Sequence, residues 1–335
     1  MKLLKKIDHN ILSLLGMYAV VLIAMAILNP STYYSTLNIK SWFYLFPEYG
    51  ILTFGMMLCM ISGGIDLSLV GIANLVGVVA SYMMVNIGGG KECGMGMIIG
   101  AIIVGLIIGV LCGAFNGFLI GFLHIPPMLV TLCGLQLYTG IAMIVTTGLA
   151  LIYESLANYM AGGVEQTLPA HLRAFGRMPW DIILALVACV VAYIFLNYTK
   201  IGTYTYAIGS DEFVAKNMGI NVNKYKVLAF ILSGAFLGVM AILTISYGSS
   251  MVAVTGMASM SRNFVPTMGC FFGLAFKKYG MPLQAIIIGE FVINIIFFGF
   301  IALGAPTAIQ DVITGFALLI IVTLTTKVTK GEIVK

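Results

Sequence analysis

Charge is scarce in this sequence. Only 9% of its 335 residues are Asp, Glu, Lys or Arg, against about 25% in soluble globular domains, and neither a low-complexity tract nor a stretch of soluble-domain composition interrupts the chain. Histidine is scarcer still. His9, His124 and His171 lie far apart, so no HExxH zinc site can form, and GxSxG is also missing. The one glycine cluster that suggests a phosphate loop, GGGKECG at 88–94, lacks both the spacing and the Lys-Ser/Thr ending of GxxxxGK[ST]. Whatever energy drives this protein is therefore not released by its own side chains, and no cofactor or metal is expected. Six cysteines give neither a disulfide framework nor zinc spacing. Cys59, Cys112, Cys133, Cys189 and Cys270 sit inside apolar runs as small packing residues, with Cys93 alone in a loop. No basic patch interleaves with aromatics, which excludes a nucleic-acid surface.

What the chain has instead is apolar residues. The composition is 61% hydrophobic, with mean hydropathy +1.07, 39 glycines and 21 methionines. That profile is polytopic and all-α: a bundle of transmembrane helices, single-domain over 1–335, in which glycine permits close helix contact. Runs of about 20 apolar residues predict ten spans, at 11–29, 42–62, 67–86, 95–123, 128–150, 180–198, 226–247, 264–276, 281–303 and 309–326. The run 11–29 lacks a small-residue cleavage site and reads as a retained first span rather than a signal peptide. The eighth, at 264–276, rises only about 20 Å and reads as a broken or re-entrant helix, or as one that begins earlier, near Met251.

Placement of the cations orients the bundle. With the N-terminus inside, the inner segments carry Lys2, Lys5, Lys6, Lys200, Lys216, Lys224, Lys226, Lys277, Lys278, Lys327, Lys330 and Lys335. The outer segments carry Lys40, Lys91, Arg173, Arg177 and Arg262. Twelve against five predicts both termini in the cytoplasm of a bacterial inner membrane, and the net charge of +5 then reports anchoring on an anionic leaflet. Trp42 and Trp180 fall at outer ends, as an aromatic belt requires. The loop from Tyr153 to Pro179 is the only sizeable outer stretch, either a solvated linker or a surface for an external partner. Gly113–Pro126 and Gly269–Pro282 share two glycines, a phenylalanine and a proline at equal spacing, a weak echo of the repeats common in transporters.

Polar residues inside the spans are few. In ISGGIDLSLVG, Gly63 and Gly64 interrupt helical continuity and Asp66 opens the next run, as a gate residue beside a broken helix or as a helix start. Asn74, Asn116, Gln136, Glu290 and Asn294 lie deep in predicted spans, with Asp311 near the start of the last. Such groups bond between helices or face a wet passage. Glu290 and Asn294, four apart, share a helix face. The candidate path residues are accordingly Gly63, Gly64, Asp66, Asn116, Gln136, Glu290 and Asn294. His124, ahead of Pro126 and Pro127, reads as an interfacial turn residue.

The most informative segment is the polar connector at 199–225, between two membrane-length runs. Ser210 can cap a short helix there, Asp211 and Glu212 favour the positive end of its dipole, and Gly219 can stop it. A capped helix bearing Phe213, Val214 and Met218 on the cytoplasmic side is suited to docking.

The blocks GGIDLS at 63–68, GAFNGFLIGFLHIPPMLVTLCGLQLYTGIA at 113–142, IGTYTYAIGSDEFVAKNMGINVNKYKVLAFILSGAFLG at 201–238 and QDVITGFALLIIV at 310–322 together resemble the membrane permeases of bacterial ABC importers for simple sugars, the ribose-permease type. The resemblance implies that Gly209–Ile220 is a coupling helix that docks on a cytoplasmic ATP-binding subunit, with Glu212, Ala215 and Gly219 on the family's pattern and Gly209, Ser210, Asp211, Phe213 and Ile220 as further coupling residues. It also implies a second permease subunit and an extracytoplasmic solute-binding protein, with ATP hydrolysed outside this chain. Between Met257 and Gly280 the chain departs from that pattern: single glycines and the bulky Phe271 and Phe272 replace an acidic residue and paired glycines. That departure suits pairing with a different, more typical permease subunit, with a homodimer as the alternative. Two other readings stand beside it: an ion-driven transporter using Asp66, Glu290 or Asp311, and a non-transporting membrane scaffold.

Overall fold

The computed structural model describes residues 30–150, 169–248 and 261–275 continuously, with isolated positions between 16 and 28 and between 286 and 319. Every regular element among them is helical. In chain order these are α1 (Pro30–Tyr33), α2 (Thr36–Ile61), α3 (Leu69–Tyr82), α4 (Met95–Gly121), α5 (Pro127–Ala150), α6 (Ala170–Phe175), α7 (Trp180–Tyr198), α8 (Lys200–Ser210), α9 (Glu212–Asn217), α10 (Val222–Gly248) and α11 (Ser261–Ala275), with a π turn at Met83–Ile87 and a 3₁₀ turn at Gly90–Glu92. Six helices among the described residues, α2 to α5, α7 and α10, are long and apolar enough to cross a bilayer. The protein is a multi-pass membrane protein. Most of the expected spans at 11–29, 281–303 and 309–326 lies outside the described residues, as do Asp311 and positions 153–168 and 276–280.

The chain divides into two compact units, one formed by residues 1–53 and 264–335 and the other by 54–263; the divisions fall within α2 and α11. The second unit is organised by the α4/α10 pair. Glycines recur every fourth residue along one face of α4, at 105, 109, 113, 117 and 121, and all are buried. A Cβ on Gly109 would collide with the Gly234 carbonyl of α10, one on Gly113 with the Phe230 carbonyl, and one on Gly117 would stand 2.9 Å from Val227 Cα. Lipid tails are as apolar as leucine, so helix association in a bilayer rests on close van der Waals contact, which small residues permit. The opposite face of α4 is a stripe of exposed large side chains at Ile99, Ile103, Ile107, Leu111, Phe115, Phe118 and Phe122, the spacing that a lipid-facing helix requires.

The ends of this unit differ. At one, Ala80, Met84, Cys93, Ile98, Leu172 and Ile245 join the ends of α3 and α10 to α6 and the start of α4. Cys93 is in a loop, as expected, yet buried there, and burial raises its thiol pKa. The opposite end gathers the termini of α2, α4 and α7, the starts of α3, α5 and α10, and the connector. His124 makes the α4–α5 turn with positive φ of 56° and is exposed. Pro127 then starts α5, where a missing N–H leaves nothing unpaired.

In the first unit, Val265 and Met268 of α11 pack with Ile293 and Tyr49, and Tyr33 donates its hydroxyl to the Ile295 carbonyl at 3.2 Å. The described part of α11 has 15 residues, a rise of about 22 Å.

Candidate functional site

Two interruptions of the bundle meet at the connector end. The first follows α2. Gly63 has φ +90°, its N–H bonds the Met60 carbonyl at 3.1 Å, and the Gly64 N–H bonds the Cys59 carbonyl at 3.0 Å. This is the paired closure that glycine permits at a helix C-terminus. Gly64 then lets Pro127 of α5 approach, since a Cβ there would stand 2.8 Å from the proline Cβ. Residues 65–68 run non-helically to α3 and are held by side chains. Thr131 Oγ1 donates to the Ile65 carbonyl at 3.2 Å. Asn263 donates Nδ2 to the Leu67 carbonyl at 2.7 Å and accepts from the Val70 N–H at 3.2 Å.

Asp66 sits at the centre of this break and is 1% exposed. Its Oδ1 accepts from the Ser68 N–H at 2.8 Å and the Ser68 hydroxyl at 2.6 Å. Ser68 Oγ accepts from Asn116 Nδ2 at 2.8 Å, and Asn116 Oδ1 accepts from the Tyr138 hydroxyl at 2.7 Å. Every member is buried. Tyr138, Asn116, Ser68 and Asp66 thus form one donor chain from α5 through α4 to the start of α3, in which each bond polarises the next. The Asp66 carboxylate fixes the turn ahead of α3, whose cap position is taken by Ser68.

The second interruption is the connector, which folds as an elbow of two helices. Thr199 caps α8, its Oγ1 accepting from the Gly202 N–H at 3.3 Å. Asp211, in extended conformation, caps α9 by accepting from the Val214 N–H at 2.9 Å. The residue expected as that cap, Ser210, instead ends α8, where its hydroxyl donates to the Tyr206 carbonyl at 2.9 Å. The helix before it claims the serine, and the cap passes to the first residue with β-region backbone. Gly219 has φ +82° and closes α9 as expected: its N–H bonds the Lys216 carbonyl and the Ile220 N–H bonds the Ala215 carbonyl, at 3.0 and 3.1 Å. Asn221 Oδ1 then caps α10 through the Lys224 N–H at 3.1 Å.

The elbow has a seated face and a bare one. Ala215 is buried with Ile208 and Val222, and Ile220 and Tyr225 pack against them. Tyr204 meets Tyr225 edge-on at 4.8 Å, burial pushes the Tyr206 phenol up to about 12, and Glu212 pairs with Lys226 at 2.7 Å. Phe213 and Met218 are 72% and 74% exposed, with Val214 beside them. Gly209 joins the two interruptions: a Cβ there would collide with the Ile61 carbonyl at the end of α2, and Gly63 lies next to it. A displacement of the elbow therefore reaches the broken segment at 62–68 through backbone contact.

The remaining path candidates are elsewhere. Gln136 lies on the exposed flank of α5 near Cys133, Leu137 and Ile141. Glu290 and Asn294 belong to the first unit, where Asn294 Nδ2 donates to Glu290 Oε1 at 2.8 Å. Glu290 Oε2 is buried beside Gly269. Three contributors were missed from sequence: Asn263, Tyr138, and the glycine row of α4. Only the row left a sequence signal, its spacing of four.

A family model described as "branched-chain amino acid transport system / permease component" matches residues 38–322. The L-arabinose transport system permease protein AraH of Escherichia coli is 29% identical over 268 residues, 80% of this chain and 75% of that protein. The ribose import permease protein RbsC of Bacillus subtilis is 29% identical over 319 residues, 93% of this chain and 91% of its own. The xylose/arabinose import permease protein XylH of Sulfolobus acidocaldarius is 27% identical over 222 residues, 62% of this chain and 56% of its own. No solved structure matches the chain.

Proposed function

The chain belongs to the branched-chain amino acid transport system / permease component family, and from that premise we propose that it is the membrane-spanning subunit of an ATP-driven importer for a monosaccharide. The family description names amino acids while the relatives named above carry sugars. Sugar is the better reading, because those relatives align over most of their length. Arabinose, ribose and xylose are five-carbon sugars, so a pentose is the first substrate to try.

One observation carries the mechanism: an elbow with a seated face and a bare apolar face, touching the broken helix through Gly209. The energy source is a separate ATP-binding subunit that grips Phe213, Val214 and Met218 on the cytoplasmic side, with both termini on that side. Asp211, Glu212, Ala215, Gly219 and Ile220 shape the lever. Nucleotide then stabilises one of two bundle arrangements over the other, the differential that alternating access requires. An extracytoplasmic solute-binding protein delivers the sugar, and a second permease subunit, identical or not, completes the passage. Gln136 fits that reading, because an amide on an exposed flank of a bilayer-length helix needs a partner or water.

The test is uptake into proteoliposomes holding the chain, its ATPase and its binding protein. Accumulation of labelled pentose that requires ATP and ignores ionophores is expected. Uptake that collapses with ionophores returns the ion-driven reading, and no uptake under any condition returns the scaffold.

A further inference from the structure

α7 makes its main helix contacts at its ends, with α6 at one and α8 at the other. Its middle stands off from α4 and α10 and leaves a cavity of about 210 Å³. All ten lining side chains are apolar, among them Val187, Val191 and Phe195 of α7, Leu232 and Ala235 of α10 and Leu106 of α4. The cavity lies at mid-span and opens past Val187 and Val191, which are 53% and 37% exposed.

Its size decides what can enter. Val187 to Phe195 rises about 12 Å, and a helix about 10 Å across would need roughly 900 Å³ over that length, against about 580 Å³ of empty space that is partly open to the surface. A further helix therefore cannot be seated wholly within it. Water is excluded by the absence of polar partners. A single hydrocarbon chain has the right cross-section, and it would restore the dispersion contacts that a void forfeits.

Apolar contact alone cannot make such a site selective, since bulk lipid offers the same contacts. The surroundings supply the selectivity. Tyr198, 74% exposed, ends α7 one turn beyond Phe195, and the exposed Lys200 follows at the start of α8. The exposed Lys224 stands two turns before Leu232 on α10. An aromatic tip and two cations at one membrane boundary suit an anionic headgroup. We propose that the slot between α7 and the α4/α10 pair binds one acyl chain of an anionic phospholipid, whose phosphate is held by Lys200 and Lys224. The bound lipid occupies the space into which α7 would otherwise move, next to the elbow it leads into.

The experiment uses the full chain in nanodiscs containing trace phospholipid with a photoactivatable acyl chain, on either a phosphatidylglycerol or a phosphatidylcholine headgroup, with labelled residues mapped by mass spectrometry. Labelling at Val187, Val191 and Leu232 is expected to favour phosphatidylglycerol, by about five-fold for each lysine engaged. Lys200→Gln should remove about five-fold of that preference and leave phosphatidylcholine labelling unchanged. Ala235→Phe should suppress slot labelling while the outward stripe at Ile103 and Ile107 stays labelled; Val191→Phe, approaching from the other wall, serves if the first variant does not fold. Slot labelling that shows no headgroup preference and is unmoved by Lys200→Gln would overturn the proposal in favour of ordinary boundary lipid. Protection of the slot from both probes would overturn it in favour of a polypeptide occupant.

Discussion

Gly209→Ala isolates the link between the elbow and the broken segment. The added Cβ would collide with the Ile61 carbonyl, and a backbone atom at the end of a packed helix cannot swing aside as a flexible side chain can. Overpacking of this kind costs about 1–3 kcal/mol, and the elbow can relieve it by lifting off α2. The cost therefore falls on the seating of the lever, while the α4/α10 pair that holds the bundle is untouched. Taking about 2 kcal/mol, the seated arrangement loses a factor of about 30. The assay compares ATP-dependent uptake with membrane abundance, using Ser210→Ala as control. That serine is exposed, and among the described residues its hydroxyl bonds the Tyr206 carbonyl one turn back. Uptake should fall at least ten-fold in Gly209→Ala at unchanged abundance, and by less than two-fold in Ser210→Ala. Wild-type uptake by Gly209→Ala would refute the claim that the contact transmits force.

Gly113→Ala should destabilise the protein by about 3 kcal/mol in reversible unfolding from detergent, because its Cβ meets the Phe230 carbonyl. Gly100→Ala, which meets nothing within 4 Å, should be neutral or stabilising. Asn116→Leu leaves Ser68 without its donor and the Tyr138 hydroxyl without its Asn116 acceptor, a loss of about 1–3 kcal/mol by the same measurement. A double-mutant cycle on Glu212 and Lys226 should give a coupling below about 1 kcal/mol that weakens with salt, since Glu212 is 54% exposed.

Legibility in the sequence followed the range of the interaction. The spans at 180–198 and 95–123 match α7 and α4 closely, because a bilayer imposes length and hydropathy locally. Gly219 could be read as a stop for the same reason: positive φ is a property of one residue and its neighbours. Ser210 misled because capping depends on where the preceding helix ends, and α8 runs one residue further than the serine's chemistry suggests. The polar network was out of reach. Asn263 serves Leu67 from 196 residues away, and Asn116 finds Ser68 only once α3 and α4 are packed. Hydropathy names Asn116 and Gln136 alike, yet packing buries the first and leaves the second on an open flank.

The central claim is that the bare face of the elbow is where a nucleotide-driven partner takes hold. It is tested most directly by measuring capture of the ATP-binding subunit, in mild detergent, by the full chain carrying Phe213→Asp or Met218→Asp. Both side chains are mostly exposed and outside the elbow's packed face, so the fold should persist, and capture should drop by more than ten-fold with uptake falling in parallel. Undiminished capture by both variants would contradict the account.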